Sequence, residues 1–171
     1  MSKASKHKRL AGSKPCFCGS GRDAGECCLF LIEGAAVAVS AEQLMRARYT
    51  AYVLSKVDYI LSSWHSRRRP VTLELEKSLQ STQWLGLKVL SCSPVKDNTA
   101  YVEFVAAFSI NGEAGQMHER SRFIFEHEQW FYVDGEQIEP TVQYHFKPPA
   151  RNEPCHCGSG KKYKKCCATK I

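Results

Sequence analysis

Apolar residues recur at helical spacing through the first half of this chain and at every second position from about residue 83 onward. Leu44, Ala47, Ala51 and Leu54 form one stripe, broadened by Met45, Tyr49, Tyr52 and Val53, and predict a helix running to about Val57. Ser40-Ala41-Glu42-Gln43 in front of it has the form of a capping box. Asp58 to Trp64 reads as a second helix, Arg67-Arg68-Arg69-Pro70 as a basic break, and Thr72 to Gln80 as a short third helix. The period then changes to two. Strands are predicted over Gln83 to Ser93, Thr99 to Ile110, Gln116 to Glu128 and Gln129 to Val133, with a weaker one over Gln137 to Phe146. Asn111-Gly112 and Asp134-Gly135 are turn signals. Val102, Phe104, Ala106, Phe108 and Ile110 share one strand face; Met117, Glu119, Ser121, Phe123 and Phe125 share another.

Helices followed by a run of antiparallel strands make an α+β fold. Strands this long bend, and bulges are the usual place. Helices packed on the concave side of a curved antiparallel sheet leave a cone with a mouth.

The two ends carry a different signal. Cys16, Cys18, Cys27 and Cys28 form the pattern C-x-C-x8-C-C, and Cys155, Cys157, Cys166 and Cys167 repeat it; each copy follows a proline and contains Gly-Ser-Gly. The side chains of an extended C-x-C point to one side and can grip one ion, whereas a disulfide between them would be strained. The glycines let the backbone turn and aim N–H groups at sulfur. Four thiolates suit a tetrahedral ion, so the expectation is one Zn²⁺ per copy, with iron as the alternative occupant. Disulfides between the arms of a copy need an oxidising compartment. The Lys-rich first residues have no apolar h-region, and the longest apolar run, Leu29 to Val39, is too short to span a bilayer, so a cytoplasmic location is expected. The ninth cysteine, Cys92, is expected to be a small buried hydrophobe.

Charge sharpens the picture at the ends. The net charge is +7, but residues 1–14 carry +5 and residues 147–171 carry +6, leaving a mildly acidic body. Two filled four-thiolate zinc sites would lower the total to about +3 by formal counting. Lys161, Lys162, Lys164 and Lys165 keep the second copy basic, and with Tyr163 they form the expected contact surface for a polyanionic partner.

Several stretches together resemble the YchJ family of bacterial SEC-C-motif proteins, nearly end to end. The 17 residues from Arg151 to Cys167 look like the SEC-C signature, a zinc knuckle also found at the tail of the SecA translocation ATPase. Leu44-Met45-Arg46-Ala47-Arg48-Tyr49, Trp64-His65, Gln83-Trp84-Leu85-Gly86-Leu87, Glu119-Arg120-Ser121-Arg122-Phe123 and Trp130-Phe131-Tyr132-Val133-Asp134-Gly135 are similar to that family's middle region. The resemblance implies a nuclear-transport-factor-two/cystatin-like cone with metal knuckles at both ends, and contact with ribosomes or with export or chaperone proteins in relatives. The organisation expected is a basic arm over 1–14, a knuckle over 15–33, the cone over 34–146, a linker over 147–154 and a second knuckle over 155–171. The N-terminal copy lacks the lysine-rich stretch and is assigned a structural role.

A cone can hold a pocket. Tyr49, Trp64, His65, Trp84, Glu119 and Trp130 are the candidate lining residues, with Arg46 or Arg48 as ion-pair partner to Glu119. No nucleophile-base set and no phosphate loop declares itself. The functional expectation is therefore a zinc-binding adaptor, with small-molecule binding or catalysis in the cone as the alternative.

Overall fold

The computed structural model describes residues 15–139, 150–153, 155 and 161–166 of the 171. The arm over 1–14, half of the linker, Cys157, Cys167 and the segment expected to form a last strand beyond residue 139 lie outside the described residues.

Helix α1 spans Cys28–Ile32, α2 Ala41–Val53, α3 Val57–Ser62 and α4 Thr72–Ser81. Strands β1 (Thr82–Cys92), β2 (Thr99–Ile110), β3 (Glu113–Glu126) and β4 (Gln129–Gln137) pair in sequence order as an antiparallel meander. Ser40 Oγ accepts from the Gln43 N–H at 3.1 Å, and Gln43 Oε1 reaches back to the Val39 N–H at 2.7 Å, so the expected N-terminal cap of α2 forms. The helix stops four residues sooner than its apolar stripe suggests. Ser55 sits at φ +53°, a left-handed conformation that cannot continue a helix, and α3 starts afresh at Val57.

The strands differ from expectation at their turns. Asn111 and Gly112, both at positive φ, make a two-residue hairpin turn, so β3 begins directly at Glu113. His127 and Glu128 form the second such turn at φ +49° and +62°, where the alternation predicts continuing strand. Neither residue type announces a left-handed position. Asp134-Gly135 does not close β4, which runs on to Gln137 across a register shift at Arg122/Phe123. Gly135 lacks a side chain for a steric reason: a Cβ there would collide with the Glu119 side chain on the neighbouring strand. Two register shifts bend β1, as its length predicts.

The core lies between α2 and the concave sheet face. Leu44, Ala47 and Tyr49 of α2 meet Val102, Phe104 and Phe123 of the sheet in one buried cluster, which also contains all four N-terminal cysteines. A smaller cluster joins Ala51 and Ile60 to Leu75 and Leu79 of α4. Phe125 and Ile110, each beside a hairpin turn, are partly exposed instead of buried on the inner face; Phe125 packs on Trp130 at 5.3 Å between centroids. Cys92 is exposed as well. Its position at the end of β1 puts the thiol 3.4 Å from Glu42 Oε2, and partial desolvation and that carboxylate push it up to about 11.

Candidate metal centre and cavity

The first cysteine copy is a loop folded back on itself. Cys16 N–H donates to Arg22 O at 2.8 Å, and Gly19 and Gly21 turn the chain at φ +71° and +74°. Gly19 presses against β1, where an added Cβ would lie 3.2 Å from Leu87 O. Arg46 of α2 donates to Cys18 O at 2.9 Å and pairs with Glu42 at 2.7 Å. Loop, helix and sheet thus hold one another.

The four sulfurs converge. All lie within 4.8 Å of one another, with Cys18–Cys27 at 3.7 Å and Cys27–Cys28 at 3.8 Å. A tetrahedron of sulfurs at zinc–thiolate bond length has edges of about 3.8 Å. The cysteines are unbridged and at most 5% exposed. Hydrogen bonds from the Cys16 and Cys28 thiols hold Cys18 well below the usual thiol range, while hydrogen bonds with Cys16 and Cys18, and burial, push Cys28 up. Cys18 is thus favoured as the thiolate over Cys16 and Cys28, and a dication held among the four would let them ionise together. Arg22 Nη2 adds positive charge 3.2 Å from Cys27 Sγ. Four sulfurs leave no open position, so such a site suits structural and not catalytic metal.

The described part of the second copy repeats the first. Cys155 N–H donates to Lys161 O at 2.8 Å, the counterpart of the Cys16–Arg22 bond. Cys166 N–H donates to Tyr163 O at 3.0 Å, matching Cys27 to Ala24 at 3.2 Å. Cys166 (φ −139°, ψ −106°) also shares the unusual backbone of Cys27 (φ −122°, ψ −106°). Lys161, Lys162 and Lys165 are exposed; Tyr163 and Lys164 are half-buried.

A cavity of about 280 Å³ opens between α2 and the concave face. Of the expected lining residues, Tyr49, Trp64, Trp84 and Glu119 face it. His65 and Trp130 do not. At the exit from α3 the chain pairs with β4 through His65 N–H to Tyr132 O at 2.8 Å, which sends the Trp64 ring inward over Tyr132. His65 turns instead toward Glu126, 3.2 Å away, beside Arg67, Arg68 and Arg122. Trp130 is buried in the core and lines a separate groove toward α1. The expected ion pair at Glu119 is absent among the described residues. Glu119 accepts from Ser121 Oγ at 2.5 Å and Gln137 Nε2 at 2.9 Å, while Arg48 donates to Ile60 O at 2.8 Å and Ser63 Oγ at 2.7 Å. Arg48, Tyr52 and Tyr132 are lining residues that sequence reasoning missed. One signal was present: Arg48 falls four residues after Leu44 and three before Ala51, inside the apolar stripe.

Residues 40–135 match the family described as the YchJ middle NTF2-like domain, and residues 151–169 match the SEC-C motif. A UPF0225 protein of Photorhabdus laumondii is 44% identical over 161 residues, covering 89% of this chain and 97% of its own length. Another, from Pectobacterium carotovorum, is 42% identical, covering 91% and 98%. Among solved structures, a SEC-C motif protein of Rhodopseudomonas palustris superposes with TM-score 0.69 at 34% identity, over 74% of this chain and all of that one. A SEC-C motif protein of Psychrobacter arcticus gives 0.64 at 29%, over 94% and 97%.

Proposed function

The chain belongs to the YchJ family of SEC-C-motif proteins, and on that premise we propose that it is a zinc-binding adaptor of the reducing cytoplasm. Its N-terminal quartet is a structural centre, and its C-terminal knuckle docks on a polyanionic partner, ribosomal RNA first among them. An acidic export or chaperone protein is the other candidate surface. The observation that carries the reading is the pairing of one geometry with two chemistries. Where both copies are described they share two backbone hydrogen bonds and the conformation of Cys27 and Cys166. Only the second surrounds it with lysines, at Lys161, Lys162, Lys164 and Lys165, while the first buries its sulfurs in the domain core. A knuckle whose exposed loop carries no lysine holds the fold together; one that carries four has something to bind. Tyr163 adds a ring that can pack or stack there.

Co-sedimentation with ribosomes over a salt series tests this. Binding should weaken steeply with salt, and reversing the four lysines to glutamate should reduce it at least tenfold and flatten the log–log salt slope by about 3. Salt-insensitive binding, or undiminished binding by the charge-reversed chain, would contradict it.

A further inference from the structure

The cavity wall carries hydrogen-bond donors with nothing to receive them. Arg48 is 5% exposed, and its guanidinium lies 4.4 Å from the Tyr132 ring centre and 4.9 Å from that of Trp64. Nη1 is engaged by Ile60 O and Ser63 Oγ. Among the described residues Nε and Nη2 have no acceptor, and no carboxylate stands within 4.0 Å of the group. Four buried side-chain atoms of the described residues lack any partner, and two of them are the indole Nε1–H groups of Trp64 and Trp84. Both indoles line the same cavity as Arg48. Orphaned donors and a buried cation with no ion pair are each costly, and their concentration around one void is the mark of a missing acceptor.

We propose that this cavity binds a small organic monocarboxylate with an apolar body, its carboxylate received by Arg48 and by the Trp64 and Trp84 indole N–H groups. A guanidinium presents paired donors that match a carboxylate. The charge of the ligand is set by Glu119, which faces the same cavity. Glu119 adds a negative charge to the wall, so of the anions that Arg48 can receive a monoanion is repelled less than a phosphate dianion. The body of the ligand is apolar because Met45, Tyr49, Phe104 and Phe123 form the remaining wall, and the volume of about 280 Å³ sets a small molecule. The lining contains none of the four N-terminal cysteines, and the proposal does not depend on what they hold.

The chain has three tryptophans, and Trp130 lies outside the cavity, so the indole N–H signals contain their own control. Full-length 15N-labelled protein is titrated with benzoate and hexanoate, and in parallel with benzamide, hexanamide and inorganic phosphate; Trp64→Phe and Trp84→Phe assign the peaks. The expected result is saturable movement of the Trp64 and Trp84 peaks with Trp130 unmoved, and acids binding at least tenfold tighter than their amides. Arg48→Gln should lose that discrimination; if it fails to fold, the comparison of acid with amide on the native chain still decides. The proposal is overturned if neither acid moves the two peaks up to about 10 mM, beyond millimolar affinity. It is equally overturned if acid and amide bind alike, or if phosphate binds tighter than both acids.

Discussion

At the residue scale, two side-chain facts follow from placement alone. Cys92 is exposed yet hydrogen-bonded to Glu42, and its thiol is pushed up to about 11 from an ordinary 9.0 by partial desolvation and that carboxylate. A raised folded value means the neutral thiol is favoured, so this contribution to stability is present below the ordinary value and is lost as pH rises through about 11. Alkylation by iodoacetamide should therefore be slow at pH 8 and inflect near 11, moving lower in Glu42→Gln; an inflection at the ordinary thiol value in the native chain would contradict the contact. Gly135 is the second case. Its missing Cβ makes room for Glu119, so Gly135→Ala should cost about 1–3 kcal/mol by overpacking and disturb the hydrogen bonds to Ser121 and Gln137. Urea denaturation reads it, and an unchanged midpoint would refute the steric account.

At the scale of elements, helix α2 (Ala41–Val53) joins the parts: its cap starts at Ser40, Arg46 reaches the cysteine loop, and Arg48 faces the cavity. Ser40→Ala should lower stability by about 1 kcal/mol in the same denaturation assay. The β3–β4 turn offers the opposite sign. His127 and Glu128 both sit at positive φ, so His127→Asn with Glu128→Gly should stabilise by about 1 kcal/mol; a loss would show that those side chains contribute more than their backbone costs. The same turn shows what could and could not be read from sequence. Asn111-Gly112 has the residue types a left-handed turn selects and is legible; His127-Glu128 does not, so the alternation predicts two strands that meet without a turn between them. Periodicity found α2 and β2 because their buried faces repeat, but it could not find the left-handed break at Ser55. The cysteine quartet was legible because spacing alone specifies it. The cavity was half legible. Trp64 and His65 are adjacent and equally plausible as lining, and only the pairing of this segment with β4 decides which ring turns inward. Arg48 escaped because a charged residue in an apolar stripe reads as an ion-pair partner before it reads as a donor in a cavity.

For the whole molecule, the burial of Cys16, Cys18, Cys27 and Cys28 in the main core ties the first knuckle to the fold. Loss of a metal held there would be packing lost from the body. A strong chelator should lower the melting temperature of the entire domain by about 10 °C or more, in one transition; a separate early transition with the body unaffected would make the knuckle an appendage. Among the described residues no helix is long and apolar enough to cross a membrane. The most direct measurement is metal content and zinc-edge X-ray absorption on full-length protein purified without added metal. The account predicts about two zinc ions per chain, each with four sulfurs at about 2.3 Å. A folded chain that arrives without metal, its paired quartets left as free thiols or joined as disulfides, would contradict it.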